Sequence, residues 1–162
     1  MQATRFLLLI LSVMAGCASS FGRIGENAQD LQKRYGAPVS CDAVGAFHRC
    51  AYQKDGFGIT VYFTNGASVM EIFAERGFDQ ATARKLAVKV ASTPQFAAAD
   101  ADHEAAIRAA SGITNPDEMF WTWPASGDAM TAAYNPVECT LTFFNNPAVY
   151  ADVQRALASQ PL

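Results

Sequence analysis

The chain has 162 residues, 51% of them apolar, with 12 basic and 15 acidic side chains and four cysteines. Its net charge of −3 argues against nucleic acid and against a polybasic lipid contact. The apolar share suffices for one ordinary core, and no repeat interrupts the chain apart from an alanine-rich stretch over residues 96–110.

The N-terminus reads as an address. Arg5 precedes an apolar run over residues 6–15, and small residues lead to Cys17, the order of the n, h and c regions of a secretory signal. As a helix the run would span only ~15 Å, about half of a ~30 Å hydrocarbon core, so a permanent membrane span is not expected. The segment Leu11-Ser-Val-Met-Ala-Gly-Cys17 resembles the lipobox of bacterial lipoproteins. That resemblance implies that residues 1–16 are a signal peptide and that Cys17 is lipidated and becomes the mature N-terminus. Ala18, standing where Asp would retain the protein at the inner membrane, implies by the same resemblance an outer-membrane location in a Gram-negative host, facing the periplasm. Cleavage after Ala15 by an ordinary signal peptidase is a competing reading, and an uncleaved anchor is a third.

Removal of residues 1–16 leaves 146 residues with 11 basic and 15 acidic side chains, a net of −4. Residues 17–25 are a short tether, with eight residues reaching at most ~28 Å. Residues 26–162 are expected to form a single domain held close to the membrane. Its first element is a helix over 26–35, with Ala28, Leu31 and Tyr35 on one face and Gly36 and Pro38 as stop signals. Three strands follow, over 47–53, 58–63 and 68–74, separated by Lys54-Asp-Gly56 and Asn65-Gly66. Asn-Gly between alternating apolar runs is the strongest short-range hairpin signal. In the middle strand Ile59, Val61 and Phe63 take one face, expected to be core, and Thr60 and Tyr62 take a semi-polar one.

A second helix is expected over 79–92, with Ala83, Leu86, Ala87 and Val90 inward and Pro94 beyond its end, and a third over 101–110. The extended aromatic segment Met119-Phe-Trp-Thr-Trp-Pro124 comes next, then a hairpin over 129–134 and 138–144 turning at Asn135-Pro136. A last helix starts with Asn146 as N-cap and Pro147 at the first helical position and carries the stripe Val149, Tyr150, Val153, Leu157. Two-residue hairpins permit no parallel crossover, so the expected class is α+β: a mostly antiparallel sheet of about five strands, a meander plus a hairpin, with helices packed on it.

The helix ending in Tyr35-Gly36-Ala37-Pro38 and the meander containing Ile59-Thr-Val-Tyr-Phe-Thr-Asn-Gly66 together resemble the small α+β lipoproteins of the outer-membrane β-barrel assembly type. They also resemble β-lactamase-inhibitor-protein-like domains. The resemblance spans residues 24–74 and implies action by binding proteins without catalysis; it carries over no functional residue.

Candidate chemistry is sparse. Cys41 and Cys50 lie nine positions apart across Asp42-Ala-Val-Gly45, a spacing that suits the two arms of a turn, and in an oxidising compartment they are expected to pair. Cys139, alternating with Leu141 and Phe143, reads as a buried inert thiol; a Cys50–Cys139 bond is the rival connectivity. A Cys50–His48 nucleophile and base pair would lose its thiol to the disulfide. No C-x-x-C occurs, and His48 and His103 lack ligand spacing, so neither a metal nor a cofactor is expected. Asp100, Asp102 and Glu104 around His103 read as a solvated helix N-terminus, and no serine sits in a G-x-S-x-G context.

Trp121 and Trp123 share one face of a strand, with indoles about 7 Å apart. They either belong to the core or form an exposed partner-contact surface, tryptophan being enriched in interface hot spots. The functional expectation is a non-catalytic envelope lipoprotein serving as a protein-binding or accessory module, with an envelope protein as partner and the membrane reached through the lipid. The alternatives are an inhibitor or immunity-type protein that blocks a periplasmic or incoming enzyme, and a binder of cell-wall glycan or a small ligand.

Overall fold

The computed structural model describes residues 24–91, 96–123 and 130–160. The signal peptide, Cys17 and most of the tether lie outside the described residues. The first helix, α1 (Ala28–Tyr35), is capped by Asn27, whose side chain accepts from the amides of Gln29 and Asp30, and it buries Leu31 and Tyr35. Ala28, expected on the inward face, is exposed. Four strands follow, β1 (Ser40–Val44), β2 (Phe47–Lys54), β3 (Phe57–Thr64) and β4 (Ala67–Ala74), and then α2 (Gln80–Ala91). After β5 (Ala97–Ala98) and α3 (Ala101–Ser111) come β6 (Met119–Thr122), β7 (Thr131–Asn135), β8 (Thr140–Phe144) and α4 (Pro147–Ala158).

The strands make one eight-stranded sheet in the order β1-β2-β3-β4-β8-β7-β6-β5, antiparallel at every pairing. The α+β class holds, but five strands is too few. Two of the additional strands are edges: β1 has four of its five residues exposed, and β5 is two residues long. Neither carries the alternation that marks a half-buried strand. The hairpin signals were sound. Asn65 and Gly66 adopt φ of 51° and 80°, and Asp55 and Gly56 adopt 52° and 88°, as two-residue turns with both central residues left-handed require.

Both faces of the sheet are covered, a correction to the semi-polar face expected for Thr60 and Tyr62. On one face α1 and α2 press Leu31, Tyr35, Ala83, Ala87 and Val90 against Tyr52, Ile59, Val61, Phe73, Trp121, Tyr134 and Phe143. On the other, Ile107 of α3 and Val153 of α4 pack with Val44, Tyr62, Met70, Phe120 and Phe144. Strand alternation sends neighbouring residues to opposite layers, so Trp121 and Phe120 lie in different cores. α4 begins as expected, with the Asn146 side chain accepting from the Ala148 amide and Pro147 in the first turn. Its N-terminal geometry was legible because capping is a local matter.

Candidate functional site

Trp121 and Trp123 are each only 5% exposed and do not form a partner-contact surface. They do share a face, as their spacing predicts, but Phe96 and the inward residues of α2 pack in the same layer. Phe96 stacks on Trp123 at 5.1 Å and meets Trp121 edge-on at 6.1 Å; Tyr134 and Phe143 continue the layer. The physical reason is that a sheet with helices on both sides has no free face for two indoles. The indole Nε1 of Trp123 finds no acceptor among the described residues.

Cys41 and Cys50 are bonded to one another. They sit directly opposite in the β1–β2 pairing, with Cα atoms 4.2 Å apart, the close separation of a non-hydrogen-bonded antiparallel pair. The Cys50–Cys139 alternative is thereby excluded. Cys139 is a free, half-buried thiol, but it lies in the β7–β8 turn with φ of 53°, not on the strand its alternation with Leu141 and Phe143 suggested. His48 Nε2 is 3.4 Å from Cys50 Sγ, and Cys41, His48 and Cys50 place their ligand atoms within 4.8 Å of one another. Both sulfurs are spent in the disulfide, which leaves neither a nucleophile nor a thiolate ligand there. Asp100, 67% exposed at its side chain, caps α3 by accepting from the His103 amide; that bond holds its carboxyl below the usual range. The acidic cluster is a helix start.

A carboxyl pushed far from its ordinary range lies elsewhere. The turn after α3 runs from Gly112, in the left-handed conformation, through Pro116 to Glu118, and Arg108 anchors it. Nη1 and Nη2 of Arg108 donate to the carbonyls of Asn115 and Glu118 at 2.7 and 2.8 Å, Nε donates to Glu104 at 2.8 Å, and its guanidinium lies over the Phe120 ring at 4.8 Å. This clamp brings Glu118 to the wall of a cleft of about 440 Å³ that is also lined by Ser111, Asn115, Asn135 and, from α4, Tyr150 and Arg155.

Glu118 is 5% exposed. Burial, only partly offset by Arg108 and reinforced by Glu138, pushes its carboxyl up to about 7. Tyr150 is pushed up to about 12, by burial first and then by Glu118 and Glu138. The carboxyl can hold or release a proton near neutrality, the phenol stays protonated there, and both can accept hydrogen bonds from a ligand. Glu118 is the residue sequence reasoning missed. One signal was available: Glu118 alternates with Phe120, so a core Phe120 puts the carboxyl on the same covered face.

No family model matches the chain, and no curated protein matches it. Two solved structures share part of its outline, a cysteine-rich secretory protein of Staphylococcus aureus and an extracellular protein containing an SCP domain from Bacillus anthracis. Each is 7% identical to this chain with a TM-score of 0.41; they match 75% and 78% of this chain and 44% and 45% of their own. The chain therefore spans less than half the length of either, and a likeness of this size supports no statement about activity or partners.

Proposed function

We propose that the chain is an exported lipoprotein, anchored through Cys17 at the periplasmic face of the outer membrane, that acts as a non-catalytic protein-binding or accessory module. The observation that carries this reading is the N-terminal sequence: a basic residue, a short apolar run and Ala-Gly-Cys17. The Cys41–Cys50 disulfide agrees with an oxidising compartment, and no helix among the described residues is long and apolar enough to cross a membrane. The resemblance of residues 24–74 to barrel-assembly lipoproteins points the same way. An inhibitor would need a projecting knob, and among the described residues the strongly exposed large apolar side chains are Val39 and Val137, neither aromatic.

Metabolic labelling with a palmitate analogue tests the anchor. The wild-type chain should take up label and fractionate with membranes, and Cys17→Ser should lose the label and leave the membrane or remain uncleaved. Recovery of a cleaved Cys17→Ser form from membranes, undiminished, would refute the anchor. Crosslinking of the anchored protein in its native envelope then tests the module, which predicts a reproducible protein adduct. A second reading, a small-ligand binder, is favoured by the Glu118 cleft and would be supported by a saturable ligand in the absence of any adduct.

A further inference from the structure

Two arginines and four carboxylates lie around the cleft between the turn after α3 and α4. Arg108 is committed to Glu104 and to two backbone carbonyls, and Arg155 pairs with Asp152. These pairs neutralise each other, which leaves the carboxylates of Glu118 and Glu138 with no hydrogen bond or ion pair among the described residues. The unmatched charge at the cleft is negative, in a body that is itself net acidic. Glu118 is 95% withdrawn from solvent yet lines a cavity of about 440 Å³, and no side chain or backbone amide among the described residues donates to its carboxylate. A buried carboxylate without a donor is costly, and a ligand that supplies donors and a positive charge removes that cost.

We propose that this cleft is a receptor for one primary alkylammonium group, the end of a lysine side chain on a protein partner, held against the Glu118 carboxylate. Tyr150 and Asn115 line the same space and carry neutral acceptors, although Asn115 Oδ1 already takes the Asp117 amide; such neutral oxygens suit a compact ion with three rotatable donors. A divalent metal is a poorer fit, because among the described residues no group of three ligand atoms includes Glu118. An anion is a poorer fit as well, since both nearby guanidiniums are already paired. Two residues after Asn135, which ends β7 and lines the cavity, Val137 in the β7–β8 turn is 75% exposed. An apolar step next to a buried acid matches a segment that presents a lysine beside an apolar residue.

The amine's origin rests on the protein-binding reading; the site's chemistry does not. The test is carboxyl and aromatic NMR of the full chain in detergent micelles, titrated with n-butylammonium chloride against sodium chloride, neutral butyramide and sodium butyrate. Saturable shifts at Glu118 and Tyr150 are expected with n-butylammonium alone. Binding should be about tenfold tighter at pH 8 than at pH 6, because only the ionised carboxylate pairs with the ammonium. The charges acting on Glu118 during this titration are Arg108, which is paired with Glu104 on α3, and Glu138 in the turn; Arg155, paired with Asp152, lines the same cleft from α4, and Tyr150 stays neutral throughout.

Glu118→Gln should abolish both the binding and its pH dependence while the rest of the spectrum stays native, and Tyr150→Phe should weaken binding severalfold. Equal response to butyramide or butyrate, pH-independent binding, or unchanged binding by Glu118→Gln would each overturn the proposal. A missing crosslinked partner would leave n-butylammonium binding intact, and absent amine binding would leave anchoring and crosslinking untouched.

Discussion

The two faces of the sheet each bury a glutamate, and they treat it differently. On the α1–α2 face Glu71 of β4 is fully buried and accepts a hydrogen bond from the Tyr35 hydroxyl at 2.9 Å, inside a layer where Tyr35, Tyr52, Phe73 and Phe143 meet ring to ring. On the α3–α4 face Glu118 is almost as buried, but it lines an open cleft and has no such donor. A buried acid that is answered within the core belongs to the architecture. One left facing a cavity is available to a ligand, and the proposed amine site rests on that contrast.

The contrast breaks first if the aromatic face is not the structural one. Trp121→Ala should cost ~3–5 kcal/mol in urea unfolding, since the residue is buried against Phe96 and Tyr134. A loss below ~1 kcal/mol would return the indole to the surface. Next in size, Glu71→Ala should cost ~2–4 kcal/mol by combining a cavity with the loss of the acceptor that the Tyr35 hydroxyl uses at 2.9 Å, and Glu71→Gln, which keeps an acceptor for Tyr35, should cost clearly less. Equal losses for the two variants would mean that the hydrogen bond at 2.9 Å contributes little.

How much of this was legible in the sequence follows from the range of the interactions involved. The Asn65-Gly66 turn and the Asn146-Pro147 helix start depend on residues close in the chain and have clear signals, whereas the Cys41–Cys50 spacing pointed to the observed bond but left Cys50–Cys139 open until the β1–β2 pairing decided it. The edge strands β1 and β5 were missed because an exposed edge has no alternating pattern to read. The tryptophan surface failed for a tertiary reason: alternation tells which residues share a face, and only packing tells whether a helix covers it. The Glu118 cleft draws its walls from the turn after α3, the β7–β8 hairpin and α4, so its formation could not be read from any local segment.

The α3–α4 layer can also be loosened at its edge. Gly45, in the β1–β2 turn, has φ of 58°, and a Cβ built there would stand 3.0 Å from the Cβ of Ala156 in α4. Gly45→Ala should therefore cost ~1–2 kcal/mol, part from the left-handed backbone and part from pushing α4 away. If the cleft depends on where α4 sits, the same variant should move the Tyr150 resonances. Unchanged stability would mean that the turn and helix adjust freely, which would weaken the case for a preformed cleft.

The smallest effect is the most discriminating. Glu118 in the folded protein protonates at about 7, above its ordinary 4.5, so between those values the folded chain holds a proton that the unfolded chain has lost. Stability contributed by this group is fully present below the window and is lost as pH rises through it, the slope being negative wherever the native state binds more protons. Solvent in the open cleft screens the charge, so the total decline should be of order 1 kcal/mol, short of the full linkage value. Urea midpoints measured from pH 4.5 to 8 should fall for the wild type beyond the change seen in Glu118→Gln, whose amide has no proton to lose. Coincident profiles would show that the carboxyl is not desolvated, and the two glutamates would then differ in position alone.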